Sequence, residues 1–357
     1  MRGFIQSTKH KEQSSTLERD HGAVVMAAPL GGMGAPHRPV LLTETLNFLA
    51  PKRGGLFVDC TVGLGGHTEA ILQASDETRV IGIDRDPAAL DYTRERLAHF
   101  GKRFQAFHAN FEDVDVVMKR AGETLAAGVL ADLGVSSLQF DSAERGFSFR
   151  FSAPLDMRMD PTSGTTAAEL LAELPEAELA RIIFEFGEER YSRRIARRIV
   201  ERREQGQPIS TTKELADLVA QAVGKHKGQQ IHPATRTFQA LRIAVNRELE
   251  GLGKFVETGI DLLEPNGQFV VISFHSLEDR IIKQELRRLS GHCQCPPRLP
   301  VCSCGARKEV EILTRRPVTP GAKELDENPR ARSAKLRACR KLSDSKRISD
   351  FRSQIPD

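Results

Sequence analysis

Long apolar runs, a surplus of one charge and a cysteine framework are all missing from this 357-residue chain. No apolar stretch approaches the roughly 20 residues a membrane-spanning helix requires. The longest near the start, residues 23–30, is broken by Pro29 and follows Glu12, Glu18 and Asp20, which suits neither a secretory signal nor an acid-poor transit peptide. Fifty-two basic and 48 acidic side chains leave a net charge of only +4, so any nucleic-acid contact must come from charge placement and not from bulk charge. Six cysteines in a chain this long do not make a disulfide scaffold, and a reducing cytoplasmic setting is expected. Membrane, secreted and fibrous classes are excluded. What remains, 39% hydrophobic and 28% charged residues, suits a globular protein of two domains, or of one domain with a large insertion.

Residues 1–36 read as a disordered extension, polar at first and then rich in Gly, Ala and Pro, and Met26 and Met33 leave the translation start open. From Leu56 the pattern becomes short apolar runs separated by helical stretches. Leu56-Phe-Val-Asp59, Arg79-Val-Ile-Gly-Ile-Asp84, Phe104-Gln-Ala-Phe-His108 and Gly128-Val-Leu-Ala-Asp132 have the length and composition of buried parallel strands. Helices are expected over residues 68–75 and 87–100, with Pro87 harmless in a first turn. This alternation predicts a doubly wound, mainly parallel α/β sheet. It then stops for about a hundred residues. Residues 165–205, 210–226 and 233–263 read as helices, the first split at Pro175. Strand character returns at Gln268-Phe-Val-Val-Ile-Ser273, with residues 310–314 and 333–337 as a final pair. The domain plan is therefore a sheet domain over 37–140 and 241–340, a helical insertion over 141–240 and a basic, flexible tail over 341–357.

Asp59-Cys-Thr-Val-Gly63-Leu-Gly65-Gly66-His67-Thr68 joins the first strand to a helix, where glycines permit close backbone approach and the helix start offers unpaired N–H groups. Asp84 ends the next strand, placed to accept hydrogen bonds from ribose hydroxyls. The dinucleotide fingerprint G-x-G-x-x-G needs a third glycine at Thr68, which opposes a nicotinamide oxidoreductase. The spacing is instead similar to the loop of class I S-adenosylmethionine (SAM) methyltransferases. A tight turn with no ligand is the competing reading, and Asp86, before Pro87, is the better helix cap.

Further motifs are more specific. Ala131-Asp-Leu-Gly-Val-Ser-Ser-Leu-Gln139, Arg145-Gly-Phe-Ser-Phe149, Pro154-Leu-Asp-Met-Arg-Met-Asp160, His232-Pro-Ala-Thr-Arg-Thr-Phe-Gln-Ala240, Ser273-Phe-His-Ser-Leu-Glu-Asp-Arg280 and Glu327-Asn-Pro-Arg-Ala-Arg-Ser333 closely resemble, in order, the signatures of the bacterial 16S rRNA cytosine-N4 methyltransferases, the RsmH or MraW family. The resemblance runs from about Pro39 to Arg340. It implies a class I, Rossmann-like methyltransferase fold with an inserted helical domain for substrate recognition, SAM as methyl donor, and a cytidine in the decoding, P-site region of 16S RNA within the small ribosomal subunit as acceptor. Carried over, the family's SAM contacts fall on Gly65, Gly66, His67, Asp84, Phe111, Asp132 and Gln139. Phe111 suits the adenine face, although aromatic residues after strands also pack inward.

The cytosine N4 lone pair is delocalised into the ring, so an acceptor for an N4 hydrogen would localise it during attack. Asp132 and the segment 134–137 stand where amino-methyltransferases carry their acceptor motif, but without that motif's Pro and Tyr, so another aromatic, Phe147 or Phe274, must stack on the base. His275 reads either as the proton acceptor or as a cap of the following helix. A non-catalytic SAM-binding assembly factor of the same fold is the alternative function. Residues 188–204 hold seven arginines against four acids, and 327–347 hold eight basic residues against two acids, leaving the rest of the chain outside that tail at −2. Concentrated basic charge of this kind is what a phosphate-binding surface requires, with Arg194, Arg197, Arg198, Arg330 and Arg332 as candidates. Cys293, Cys295, Cys302 and Cys304 form a C-x-C…C-x-C cluster, read as a structural zinc knuckle or, since C-x-C is tighter than usual chelate spacing, as reduced loop thiols.

Overall fold

The computed structural model describes residues 39–224, 232–293, 295 and 306–347, all within the compact unit His37–Asp357. The expected extension over 1–36 lies outside the described residues, as do Cys302, Cys304 and 348–357.

Helix α1 (Leu42–Leu49) precedes strand β1 (Gly55–Asp59), and α2 (Gly66–Gln73), β2 (Thr78–Asp84), α3 (Pro87–Arg96), β3 (Phe104–His108), α4 (Val114–Arg120) and β4 (Ala126–Asp132) complete the alternation. Short α5 (Ser137–Asp141) leads into α6 (Ala167–Glu173), α7 (Glu176–Gly187), α8 (Ser192–Glu204), α9 (Thr212–Val223) and α10 (Thr235–Asn246). The chain returns through α11 (Leu252–Asp261), β5 (Leu263–Ser273), α12 (Ser276–Leu289), β6 (Arg307–Ile312), α13 (Ala322–Glu327) and β7 (Lys335–Arg347). The sheet runs β3-β2-β1-β4-β5-β7-β6; the first five strands in that order are parallel, and β7 is antiparallel to both neighbours. This is the class I Rossmann-like methyltransferase architecture expected from the sequence.

The period of two divides each strand between two cores. Leu56 and Val58 of β1, Val129 and Ala131 of β4, and Phe269 and Val271 of β5 pack with α4, α11 and α12. Phe57, Leu130, Val270 and Ile272 face the other way, toward α1 and α2. Burial on both faces is why these strands read as near-continuous apolar runs. The helical stretch after β4 has a core of its own, including Leu179, Ile183, Ile195, Ile199, Leu215, Val219 and Leu241.

Several boundaries differ from the sequence reading. The helix expected over 165–205 is three: Pro175 is the N-cap residue of α7, and a second break falls at Glu188, in the left-handed region at φ 50°. The 233–263 stretch divides where Arg247 (φ 52°) and Gly251 (φ 70°) turn the chain. Strand β5 starts five residues early, because a bulge around Asn266 shifts pairing from Ala126↔Leu263 to Gly128↔Gln268. Residues 341–347, read as tail, belong to β7, which is paired on both sides as far as Arg340 and Lys341 and continues along β6 to Arg347. Its dense charge hid a strand whose inward positions, Leu336, Ala338 and Cys339, are buried. The proposed limits at 140 and 240 fall inside α5 and α10.

Candidate active site

The strand order reverses direction between β1 and β4, and α/β sheets bind ligands at the carboxyl edge of such a point. A cleft opens there, lined among others by Gly63, Gly66, His67, Asp84, Phe111 and Asp132. The glycine loop is fastened at its base by Asp59, whose Oδ1 accepts from the Thr61 N–H at 3.2 Å and whose Oδ2 accepts from the Thr68 hydroxyl at 2.7 Å. Burial pushes the Asp59 carboxyl up to about 6, against the opposing pull of those two hydrogen bonds. Thr68, the residue that breaks the dinucleotide fingerprint, therefore has a definite structural task.

Gly63, in the left-handed region at φ 50°, donates its N–H to Asp84 Oδ2 at 2.7 Å, and Asp84 Oδ1 accepts from the Asp86 N–H at 2.9 Å. Each oxygen keeps a second lone pair for a ligand. Burial raises the Asp84 carboxyl above its ordinary value. Gly66 lines the cleft, and a Cβ there would come within 2.5 Å of Pro39 Cγ. Gly65 does not belong to the lining; its missing Cβ makes room for Thr93 and Leu97 of the α3 region. Packing on the protein side thus requires glycine at position 65, as it does at Gly66, whatever the backbone there approaches.

Asp132 ends β4, its N–H bonded to Thr61 Oγ1 at 2.6 Å. Its Oδ2 lies 3.7 Å from His67 Nδ1, while its buried Oδ1 has no hydrogen-bond partner among the described residues. Burial, then the charges of Asp59 and Glu278, push this carboxyl well above the ordinary range. His67 Nε2 lies 3.0 Å from the Val40 carbonyl, which can only accept, so that nitrogen carries the proton and Nδ1 is the one turned toward Asp132.

Phe111 lines the cleft and also meets Phe255 edge-on at 4.9 Å in the sheet core, the inward packing that was its other reading. Gln139 lines the cleft with a fully committed side chain, its Oε1 accepting from the Ser136 N–H and its Nε2 donating to Asp86 and to the Met159 carbonyl. His275 is the N-cap residue of α12. Its Nδ1 accepts from the Glu278 N–H at 3.4 Å and its Nε2 lies 3.2 Å from Glu278 Oε1. The cap reading of His275 is thus the one this geometry displays: its Nδ1 lone pair is engaged by the backbone, and His275 is not in the cleft lining. Of the two aromatic candidates, Phe147 is buried in the core of the helical stretch, whereas Phe274 lines the cleft. Gly134 (φ 109°) admits the Phe274 ring, which would lie 3.4 Å from a Cβ there.

Sequence reasoning missed Gly63, Met159, Glu248 and Glu278 as lining residues. Gly63 carried a readable signal, its place in the loop beside a strand-ending acid; the other three are brought in by tertiary folding. Glu248, His275 and Glu278 place one potential ligand atom each within 4.8 Å of the others. Both Glu248 oxygens are taken by Arg242 at 2.8 Å, and although burial alone would raise Glu278, His275, Arg242 and the Phe274 N–H hold it below the usual range. The cluster is already compensated, and a metal ion would have to displace Arg242. Cys293 and Cys295 stand on the segment after α12, and the other two cysteines of that motif lie outside the described residues.

On α8 the buried side is Ser192, Ile195, Ala196 and Ile199, and at about 100° per residue Arg193, Arg194, Arg197 and Arg198 fall on the opposite arc, exposed and with no carboxylate in ion-pair range among the described residues. Arg202 and Arg203 serve the fold, pairing with Glu214 and capping the carbonyls of Leu171, Ala172 and Leu174. Arg330 stands at the cleft rim over the Phe140 ring and pairs with Asp141; Arg332 is exposed nearby in the sequence.

Among the described residues no helix is long and apolar enough to cross a membrane. A family model described as the MraW methylase family matches residues 34–342. The chain is 54% identical over 308 residues to a protein named Ribosomal RNA small subunit methyltransferase H from Geobacter sulfurreducens, covering 86% of this chain and 99% of that one. Proteins of the same name from Trichlorobacter lovleyi and Carboxydothermus hydrogenoformans are 52% and 48% identical, each covered over 98% of its length by 86% of this chain.

Proposed function

This chain belongs to the MraW methylase family, and on that premise we propose that it methylates N4 of a cytidine in the decoding, P-site region of 16S RNA, with the small ribosomal subunit in the cytoplasm as its partner. It is a SAM-dependent methyltransferase acting on small-subunit ribosomal RNA. When bound, SAM supplies a methyl group on a positively charged sulfur. The residues present fit it: Asp84 keeps acceptor capacity for a ribose diol, Phe111 offers an aromatic face for adenine, and Gly63 and Gly66 put no side chain into the cleft. His67 and Gln139 hold the walls.

The observation that carries the acceptor side is the buried Oδ1 of Asp132, which has no hydrogen-bond partner among the described residues. A donor on the substrate satisfies it, and an amino group is such a donor. Accepting an N4 hydrogen localises the lone pair on nitrogen, and the raised carboxyl makes an ionised Asp132 a stronger proton acceptor than a solvated aspartate. Phe274 stacks on the base after it leaves its helix. Arg194, Arg197 and Arg198 of α8, with Arg330 and Arg332, supply phosphate contacts.

Incubating the protein with methyl-labelled SAM and small subunits that lack their own modification tests this. Label is expected in a 16S fragment from the decoding region. Label confined to other fragments overturns the proposed site, and SAM binding with no transfer favours a non-catalytic assembly role.

A further inference from the structure

One wall of the cleft is tied to the cofactor side by a closed ring of hydrogen bonds through Arg145. Asp86 Oδ2 accepts from Arg145 Nη1 and from Gln139 Nε2, both at 2.8 Å, with the Arg145 and Asp86 side chains 14% and 0% exposed. The other arm of Arg145, Nη2, donates to the carbonyls of Met159 at 2.8 Å and Arg158 at 3.1 Å, and Gln139 reaches the same Met159 carbonyl at 3.4 Å. Met159 lines the cleft. On the cofactor side, Asp86 donates its N–H to Asp84, the carboxylate that also holds Gly63.

The loop held this way is strained. Met157 is fully buried and sits at φ 65°, a conformation an L-residue keeps only where its surroundings over-determine it. Its N–H goes to the Arg145 carbonyl, its own carbonyl accepts from Asn246 Nδ2, and Asn246 Oδ1 takes the Met159 N–H at 2.7 Å. Arg145 therefore grips residues 157–159 from both its side chain and its backbone.

We propose that Arg145 is a positioning residue that sets Met159, the cleft-lining residue of the 157–159 loop and the wall the acceptor base meets, relative to the cofactor loop, using Asp86 as the fixed point. This rests on the methyltransferase function above. Its consequence is a separation of effects: loosening Arg145 disturbs where the base sits more than how SAM is held, because Asp84 is held by the backbone N–H groups of Gly63 and Asp86 and Gln139 stays fixed on Ser136 without the Arg145 side chain.

Arg145→Lys keeps the charge but loses the planar fork, so it reaches Asp86 or the loop carbonyls and not both. With the full-length protein, SAM affinity by calorimetry and KM for small subunits are expected within about threefold of wild type, while kcat falls on the order of 100-fold. Amide exchange at 157–159 should speed up without a matching rise elsewhere. Asp86→Asn retains the α3 cap through Oδ1 and is expected to lose the same step, with the double variant no worse than the poorer single one. Wild-type kcat in Arg145→Lys, or a rate loss matched by equal loss of SAM affinity, overturns the proposal. Failure of the wild-type protein itself to methylate RNA would instead sink the functional reading, and exchange at 157–159 in the variant still decides the positioning role.

Discussion

Asp132 Oδ2 stands 3.7 Å from His67 Nδ1, while the other Asp132 oxygen is buried with no hydrogen-bond partner among the described residues. The carboxyl is positioned through its backbone, whose N–H is held by Thr61 Oγ1, and its Oδ1 is left for what enters the cleft. Asp132→Asn keeps the shape and removes the proton acceptor. Its kcat is expected to fall by roughly 10²–10⁴-fold, the usual contribution of a positioned acid or base. Transfer by the wild type needs the ionised carboxylate, whose acidity is weakened by burial and by Asp59 and Glu278, so its rate should rise with pH through that elevated value. A pH profile of single-turnover rates checks both effects, and the rising limb should vanish in the variant.

Asp59 gives a stability prediction of the opposite sense to the usual aspartate. Its folded value of about 6 lies above the ordinary 3.8, so the folded state holds the proton more tightly than the unfolded chain. Stability is therefore highest below pH 3.8 as far as this group is concerned, and falls as pH rises toward 6 by on the order of 3 kcal/mol. Asp59→Asn should flatten that part of the profile. Urea unfolding at a series of pH values from 4 to 7 would contradict this if wild type and variant kept the same slope.

The two phenylalanines should separate by phenotype. Phe147→Ala removes a buried ring from the helical core and is expected to cost about 3–5 kcal/mol of stability. Phe274→Ala should leave stability nearer wild type and weaken RNA substrate use by about 1–3 kcal/mol, the worth of one stacked base. Thermal melts beside kcat/KM measurements distinguish them.

Exposed arginines on α8 should govern salt dependence. Changing Arg194, Arg197 and Arg198 to glutamine is expected to lower the slope of log affinity against log salt by about 2, with SAM affinity unchanged. The same change at Arg202 and Arg203 should lower stability instead, because those side chains hold α9 and the end of α6.

Much of the sheet was legible because β1, β2 and β4 are short apolar runs, each ending in an acid at one edge. The motif residues Gly66, His67, Asp84, Phe111, Asp132 and Gln139 do meet in one cleft. What escaped has physical causes. The break at Glu188 is made by a left-handed residue with no proline to announce it, and the β5 bulge places Pro265 and Asn266 inside a strand. Gly65 has a packing reason the sequence did not show, since a glycine's sequence context does not say that Thr93 and Leu97 fill the space of its missing Cβ. His275 shows the same limit: a histidine before a helix has one lone pair to offer, and only the fold reveals that the backbone has taken it.

Nucleoside analysis of small-subunit RNA methylated from labelled SAM, by wild type and by Asp132→Asn at equal SAM occupancy, is the most direct test of the central claim. Label in N4-methylcytidine from the wild type, and its loss in a variant that still binds SAM, is the predicted result. Label in a different nucleoside, or transfer undiminished by Asp132→Asn, would contradict it.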